Sequence, residues 1–159
     1  KNLVQFVILG HSERVDNFDE DETSTNKKIK LALDYGIHPI VCVGERKKSE
    51  TSSSYVISKL KRILKSVSRE EYQNIIIAYE PTWAIGTDEE ADSDYVDEIA
   101  KNIKKSLSED LRFLYGGSVD DNNVSKYLIH RNIDGLLVGR ASLKSSEFIE
   151  ICSLANGGE

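Results

Sequence analysis

Two residues of this sequence have the type and setting of a proton-transfer centre. Glu80 leaves an apolar run, Ile75 to Tyr79, and is followed by Pro81, which holds the residue before it extended. A carboxylate moved between a wet and a dry environment becomes a base strong enough to take a proton from carbon. His11 follows the apolar run Leu3 to Leu9 and Gly10. A neutral imidazole there can give a proton or a hydrogen bond to a carbonyl oxygen. Ser12 and Glu13 stand beside it, placed to orient it or to pair with a cation. The plainer alternatives are a solvated loop acid and a structural histidine, and position alone leaves both pairs of readings open. His38 precedes a strand, the wrong end for chemistry, and His130 lies at a helix end, where terminal carbonyls are its expected partners.

Glycine-rich turns supply the second candidate chemistry. Gly116-Gly117-Ser118 and Gly139-Arg140 each present backbone N–H groups without bulky side chains, as an anion nest or as simple turns. Neither matches a GxxxxGK[ST] loop or a GxGxxG fingerprint. Trp83 to Glu90, WAIGTDEE, is apolar at its base and small at its tip, the composition of a lid in which Gly86 offers an amide. Its alternative is a loop whose tryptophan packs on the next helix. No HExxH is present, and Asp16 to Glu22 lacks the glycine and spacing of a calcium loop, so those acids read as a solvated face. Cys42 and Cys152 form no CxxC, which argues against a disulfide framework or a thiolate zinc site.

The elements that must position these residues follow from hydrophobic period. Apolar runs at Leu3 to Leu9, Pro39 to Val43, Ile75 to Tyr79, Leu111 to Tyr115 and Leu136 to Val138 read as buried parallel strands. Between them lie helical patterns: Ser24 to Tyr35, a stretch carrying Val56, Leu60, Ile63 and Leu64, and one carrying Val96, Ile99, Ile103 and Leu107. A short helix over Asp121 to Ile129, with Asp120 or Asp121 as its cap, and a last one with Phe148, Ile149 and Cys152 complete the series. Strands alternating with amphipathic helices mean βαβ units and an α/β fold with a parallel sheet. In such folds ligands sit beyond the carboxyl ends of the strands, where His11, Glu45, Glu80, Ser118 and Gly139 fall. Periodicity does not choose between a doubly wound sheet and part of a (β/α)8 barrel, which needs about 250 residues.

Composition narrows the classes. The 159 residues carry a formal charge of −6, with 39% apolar and 30% charged residues. Such a chain has no basic stripe for nucleic acid or an anionic membrane, and it has no run of 18 apolar residues. A small anionic substrate remains compatible, because backbone amides make a pocket locally positive. A reducing cytoplasm is the simplest compartment for the thin cysteine usage.

Five segments together resemble the triosephosphate isomerase family: VILGHSER at Val7 to Arg14, PIVCVGE at Pro39 to Glu45, AYEPTWAIGT at Ala78 to Thr87, YGGSV at Tyr115 to Val119, and DGLLVGRASL at Asp134 to Leu143. They occur in the family's order, each at a strand end. The resemblance implies a TIM (β/α)8 barrel of which residues 1–159 hold the last five strand-helix units, as one partial barrel domain. It implies interconversion of dihydroxyacetone phosphate and glyceraldehyde 3-phosphate through an enediol or enediolate, without metal or cofactor. By the resemblance Glu80 is the base, His11 the neutral electrophile and Glu13 a supporting carboxylate. Gly86, Ser118, Gly139 and Arg140 match positions whose amides hold the substrate phosphate. Pro81, Trp83, Ala84, Ile85, Thr87 and Ala91 belong to the lid, Tyr115 and Ser118 to its latch, and Cys42 to the buried strand position near the glutamate. Expected partners are a small phosphorylated triose and a second copy of the full-length chain, in the cytoplasm.

Departures from the family pattern fall at Val15 for an arginine, at Asp88 for a glycine, at Glu89-Glu90 in the lid's second hinge, and at Arg140 for a glycine. Three successive acids near a phosphate weaken its binding unless they point outward. On this reading three strands, with the loop bearing the family's substrate-binding asparagine and catalytic lysine, precede Lys1. Alone, the 159 residues are then expected to expose sheet edges and to be inactive. The competing reading is a non-catalytic fragment that binds a phosphate compound or a protein.

Overall fold

The computed structural model describes residues 3–85 and 90–157. Five strands, β1 (Phe6–Leu9), β2 (His38–Val43), β3 (Ile76–Tyr79), β4 (Arg112–Tyr115) and β5 (Gly135–Leu136), form one sheet. Around it lie α1 (Ser12–Phe18), α2 (Glu22–Asp34), α3 (Ser52–Ile63), α4 (Ser93–Ser106), α5 (Val124–Leu128) and α6 (Ser145–Ala155). Every strand pair is parallel, in register from Phe6 on His38 through Ile40 on Ile76 and Ile76 on Arg112 to Leu114 on Gly135.

Strand order settles what the period of the sequence leaves open. A doubly wound sheet reverses its order at one point and so carries helices on both faces. Here the spatial order is the chain order, β1-β2-β3-β4-β5. Right-handed crossovers that always add on the same side put all helices on one face. Neighbouring helices pack in sequence, α2 on α3, α3 on α4, α4 on α5 and α5 on α6. The architecture is α/β, a partial barrel winding of the TIM type.

Side-chain parity divides the sheet into two faces. Val41, Val43, Ile77, Tyr79, Phe113 and Tyr115 join Val56, Leu60, Ile99 and Ile103 in the core beneath the helices. Ile8, Ile40, Cys42, Ala78 and Leu114 have the opposite parity and line the concave side. Its small residues, Cys42 and Ala78, sit where the sheet is most buried. Toward the open edge Ile8 is 47% exposed. Both β1 and β5 pair on one side only, and Phe6, Leu3 and Val4 near the β1 edge are exposed. No helix among the described residues is long and apolar enough to cross a membrane.

Several local expectations need correction. The acids of Asp16 to Glu22 are a solvated face only in part: Asp16, Asp19 and Asp21 are exposed, but Glu20 is buried, accepting from Gly10 N–H, Arg14 Nε and Lys28 Nζ at 3.0, 3.1 and 2.6 Å. Asp16 pairs with Arg46 and Glu22 with Arg62. The helix α1 was not expected at all, since a seven-residue helix with no buried residue leaves no apolar period to detect. Asp21 caps α2 reciprocally with Ser24, which moves its start to Glu22. For α5 the cap residue is Asn123, with Asp120 Oδ1 instead accepting from the N–H groups of Asn122 and Asn123. His130 turns its ring to Asp94, with Nε2 3.7 Å from Oδ1.

Candidate active site

His11 is the N-cap of α1, and this fixes its chemistry. Its Nδ1 accepts the N–H of Glu13 at 3.3 Å, so that nitrogen carries a lone pair and the proton of the neutral ring resides on Nε2. Nε2 lies 3.3 Å from Glu80 Oε1, directed to it from the end of β1 across to the end of β3.

Glu80 continues the parity of Ile76 and Ala78 and so enters the concave side. Its N–H donates to Val43 O at 2.7 Å, which locks its backbone to β2. The side chain is only 6% exposed, and Oε2 is buried without a hydrogen-bond partner among the described residues. Burial pushes its carboxyl pKa above the ordinary value; the nearby His11 and a hydrogen bond with the Cys42 thiol pull the other way, while Glu13 adds to the rise. A carboxylate with one oxygen anchored and one dry and unpaired is arranged as a base. Burial, then the charge of Glu80, drives the Cys42 thiol upward, so Cys42 stays a neutral thiol.

Two glycines that read as turn punctuation make room for Glu80, Gly116 for its side chain and Gly44 for its backbone. A Cβ on Gly116 would stand 2.9 Å from Glu80 Cγ, and one on Gly44 would stand 1.8 Å from Glu80 O. Gly116 N–H continues the sheet by donating to Tyr79 O, so it is not part of an anion nest. Gly117 is likewise held against a side chain, since its Cβ would meet Tyr115 Oη at 2.0 Å. Neither contact has any signal in local sequence.

Sequence reasoning placed Glu45, the first polar side chain after the glycine that ends β2, at a strand end but gave it no role. It is buried and accepts from Tyr79 Oη at 2.9 and 3.1 Å, from Trp83 Nε1 at 3.0 Å and from Tyr95 Oη at 3.1 Å. Burial, followed by the Glu45 charge, raises the Tyr79 hydroxyl far above its usual pKa. Its carbonyl accepts from both Thr82 N and Thr82 Oγ1. Glu45 therefore ties down the segment that follows Glu80. The signal that singled out Glu80, a carboxylate closing an apolar strand, applied here as well.

The other predicted residues fall into two groups. Pro81 is buried ahead of a single 3-10 turn over Thr82–Ala84, with Trp83 and Ile85 partly buried. Ala84 O accepts from both Ser118 N and Ser118 Oγ at 3.0 Å, so the Ser118 amide serves the lid base here. At the far side, Ala91 N donates to Tyr115 Oη at 3.3 Å and Tyr127 Oη donates to Ala91 O at 2.7 Å. Tyr115 stacks on Tyr127 at 4.3 Å between ring centroids. Glu90 points away, to Lys126 and Asn123. Gly86, Thr87, Asp88 and Glu89 lie outside the described residues. Glu13 touches His11 only through its N–H, and its side chain is exposed. Gly139 and Arg140 are exposed after β5, beside the loop from β4, at the same end of the sheet as Glu80.

A cavity of about 60 Å³ opens beside Glu80 among Gly10, Ser12, Cys42, Gly44 and Lys59, room for a few waters. A wider groove of about 860 Å³ lies away from Glu80; with Asp120, Asp121, Glu147 and Glu150 against Lys144, its charge is wrong for a phosphate. No group of three or more His, Cys, Asp or Glu among the described residues is placed to hold a metal ion.

The family model described as triosephosphate isomerase matches residues 2–155. Curated relatives of that name include one from Thermoanaerobacter sp. (strain X514), 41% identical over 93% of this chain and 64% of its own length. The one from Nocardia farcinica is 40% identical over 96% of this chain and 63% of its own, and that from Dictyoglomus thermophilum 42% over 92% and 63%. The chain thus spans just under two thirds of the length of these relatives.

Proposed function

This chain belongs to the triosephosphate isomerase family, and from that premise we propose that it carries the proton-transfer half of an aldose–ketose isomerase acting on a phosphorylated triose. Glu80 takes a proton from the carbon beside the carbonyl of dihydroxyacetone phosphate, and electrons move onto the carbonyl oxygen. His11 Nε2–H stabilises that developing oxyanion and shifts a proton between the two oxygens. Glu80 then returns its proton to the neighbouring carbon, giving glyceraldehyde 3-phosphate, a step of glycolysis and gluconeogenesis. The amides of Gly86, Ser118, Gly139 and Arg140 hold the phosphate, for which Ser118 N–H must release Ala84 O. No metal or cofactor enters these steps. The active form is a complete barrel, to which these residues contribute five strands, and it dimerises.

The observation that carries this reading is the His11–Glu80 pair: 3.3 Å apart, the ring tautomer fixed by Glu13 N–H, the second Glu80 oxygen buried and without a partner among the described residues. Binding alone needs none of these. In a coupled spectrophotometric assay the chain by itself shows no turnover; mixed with a polypeptide holding the first three strand-helix units of a relative, it does. Glu80→Gln then removes that turnover while an enediolate-like phosphate inhibitor still binds. Unchanged turnover in E80Q refutes the assignment. A second reading, a binding-only fragment, draws on the unpaired edges of β1 and β5. It gains if the complemented, folded barrel binds that inhibitor and turns nothing over.

A further inference from the structure

Among the described residues the buried carboxylate of Glu45 accepts from the side chains of Tyr79, Trp83 and Tyr95, all neutral donors. Its compensating cation stands one layer further out. Lys48 Nζ lies 4.4 Å from the centroid of the Tyr95 ring and 5.8 Å from that of Trp83. The two rings are tilted 58° with centroids 6.2 Å apart, so one ammonium serves both. A cation on an aromatic face withdraws electron density from the ring and strengthens the O–H or N–H donor at its rim. Here both rims point at the same atom, Glu45 Oε1.

We propose that Lys48 and Tyr95 are positioning residues: Lys48 clamps the Tyr95 and Trp83 rings onto Glu45, which holds residues 80–84 and with them the Glu80 carboxylate. The mechanical path is short. Trp83 is fixed by its indole to the Glu45 side chain, while Thr82 is fixed by its N–H and hydroxyl to the Glu45 carbonyl. Glu80 is two residues from Thr82, with its own N–H on Val43 of the strand that leads to Glu45. The consequence for turnover rests on Glu80 being the base, whereas the clamp itself does not.

Trp83 is the single tryptophan, so its fluorescence reports the clamp directly. Lys48→Met keeps the stem and removes the charge, and Lys48→Arg restores the charge. In the 159-residue chain, K48M raises acrylamide quenching of Trp83 and speeds hydrogen exchange of the Thr82 amide about two- to fivefold, the range of a cation–π contact from an exposed lysine. K48R returns both to wild-type values. Tyr95→Phe, which keeps the face and loses the donor, shifts both in the direction of K48M, and Lys144→Met at a remote ion pair changes neither. The proposal fails if K48M matches wild type in both measurements, or if K48R behaves like K48M. In the complemented barrel K48M lowers kcat with KM unchanged. A wild-type barrel without turnover refutes the isomerase reading, and the quenching and exchange results still decide the clamp.

Discussion

Removing the Glu20 carboxylate tests how the acidic stretch supports the catalytic pair. Glu20 Oε1 accepts the N–H of Gly10, the residue before His11, and Oε2 receives Arg14 and Lys28. The two cations are half-exposed, with side chains 49% and 40% accessible, so they rehydrate cheaply once Glu20 is gone. The N–H of Gly10 is less accessible and loses its acceptor, which costs about 1–3 kcal/mol. With the cavity left by the shortened side chain, Glu20→Ala is expected to lower stability by about 3 kcal/mol. Glu20→Gln keeps an acceptor for Gly10 and loses only charge assistance, for about 1 kcal/mol. Burial raises the Glu20 carboxyl, but the donors of Lys28, Gly10 and Arg14 outweigh it and hold the pKa below the usual value. Its contribution is therefore present above the unfolded carboxylate range and is lost as pH falls through the lower folded value. Urea unfolding followed by circular dichroism measures all three quantities. Equal losses in E20A and E20Q would show that the Gly10 contact carries nothing, and the link from Glu20 to His11 would fall.

Three further outcomes follow from the site. Glu80 has the opposite sign: its raised pKa means stability declines as pH rises from the unfolded to the folded value, so E80Q lacks that slope and gains on wild type as pH rises, read from urea midpoints across pH. Activity of the complemented barrel rises over that same window, because the base works ionised. Gly44→Ala forces a backbone clash at Glu80 O and destabilises by about 3 kcal/mol, while Gly139→Ala, with nothing within 4 Å of the new methyl, stays within about 0.5 kcal/mol in the same assay. Tyr127→Phe leaves Ala91 O without its hydroxyl donor at a buried position and costs about 1–2 kcal/mol by thermal or urea unfolding.

The alternation of strands and helices, and the placing of His11 and Glu80 at strand ends, are properties of local sequence. Period-two and period-3.6 burial is written residue by residue, and Pro81 and Gly10 mark where strands stop. The motif segments, each a handful of consecutive residues, carried the family resemblance for the same reason. Strand boundaries were less legible: Leu3 and Val4 extend the apolar pattern, yet β1 starts at Phe6, its pairing partner being His38.

Contacts between distant residues were decided only by the fold. Strand order, hence partial barrel against doubly wound sheet, depends on which side each crossover adds, and apolar periodicity is the same for both. The orientation of the His11 ring, with Nδ1 accepting and Nε2 turned to Glu80, depends on α1, whose seven polar-rich residues give no period. Burial of Glu20 and Glu45 depends on donors 6 to 50 residues away, where a run of acids or a lone strand-end glutamate looks solvated. Gly44 and Gly116 are glycines because Glu80, 36 residues off in either direction, occupies the space a Cβ would need. Sequence determined which groups stand at the mouth of the sheet; tertiary structure determined their charge, their reach and the room left for them, because burial and close approach are properties of chain segments brought together.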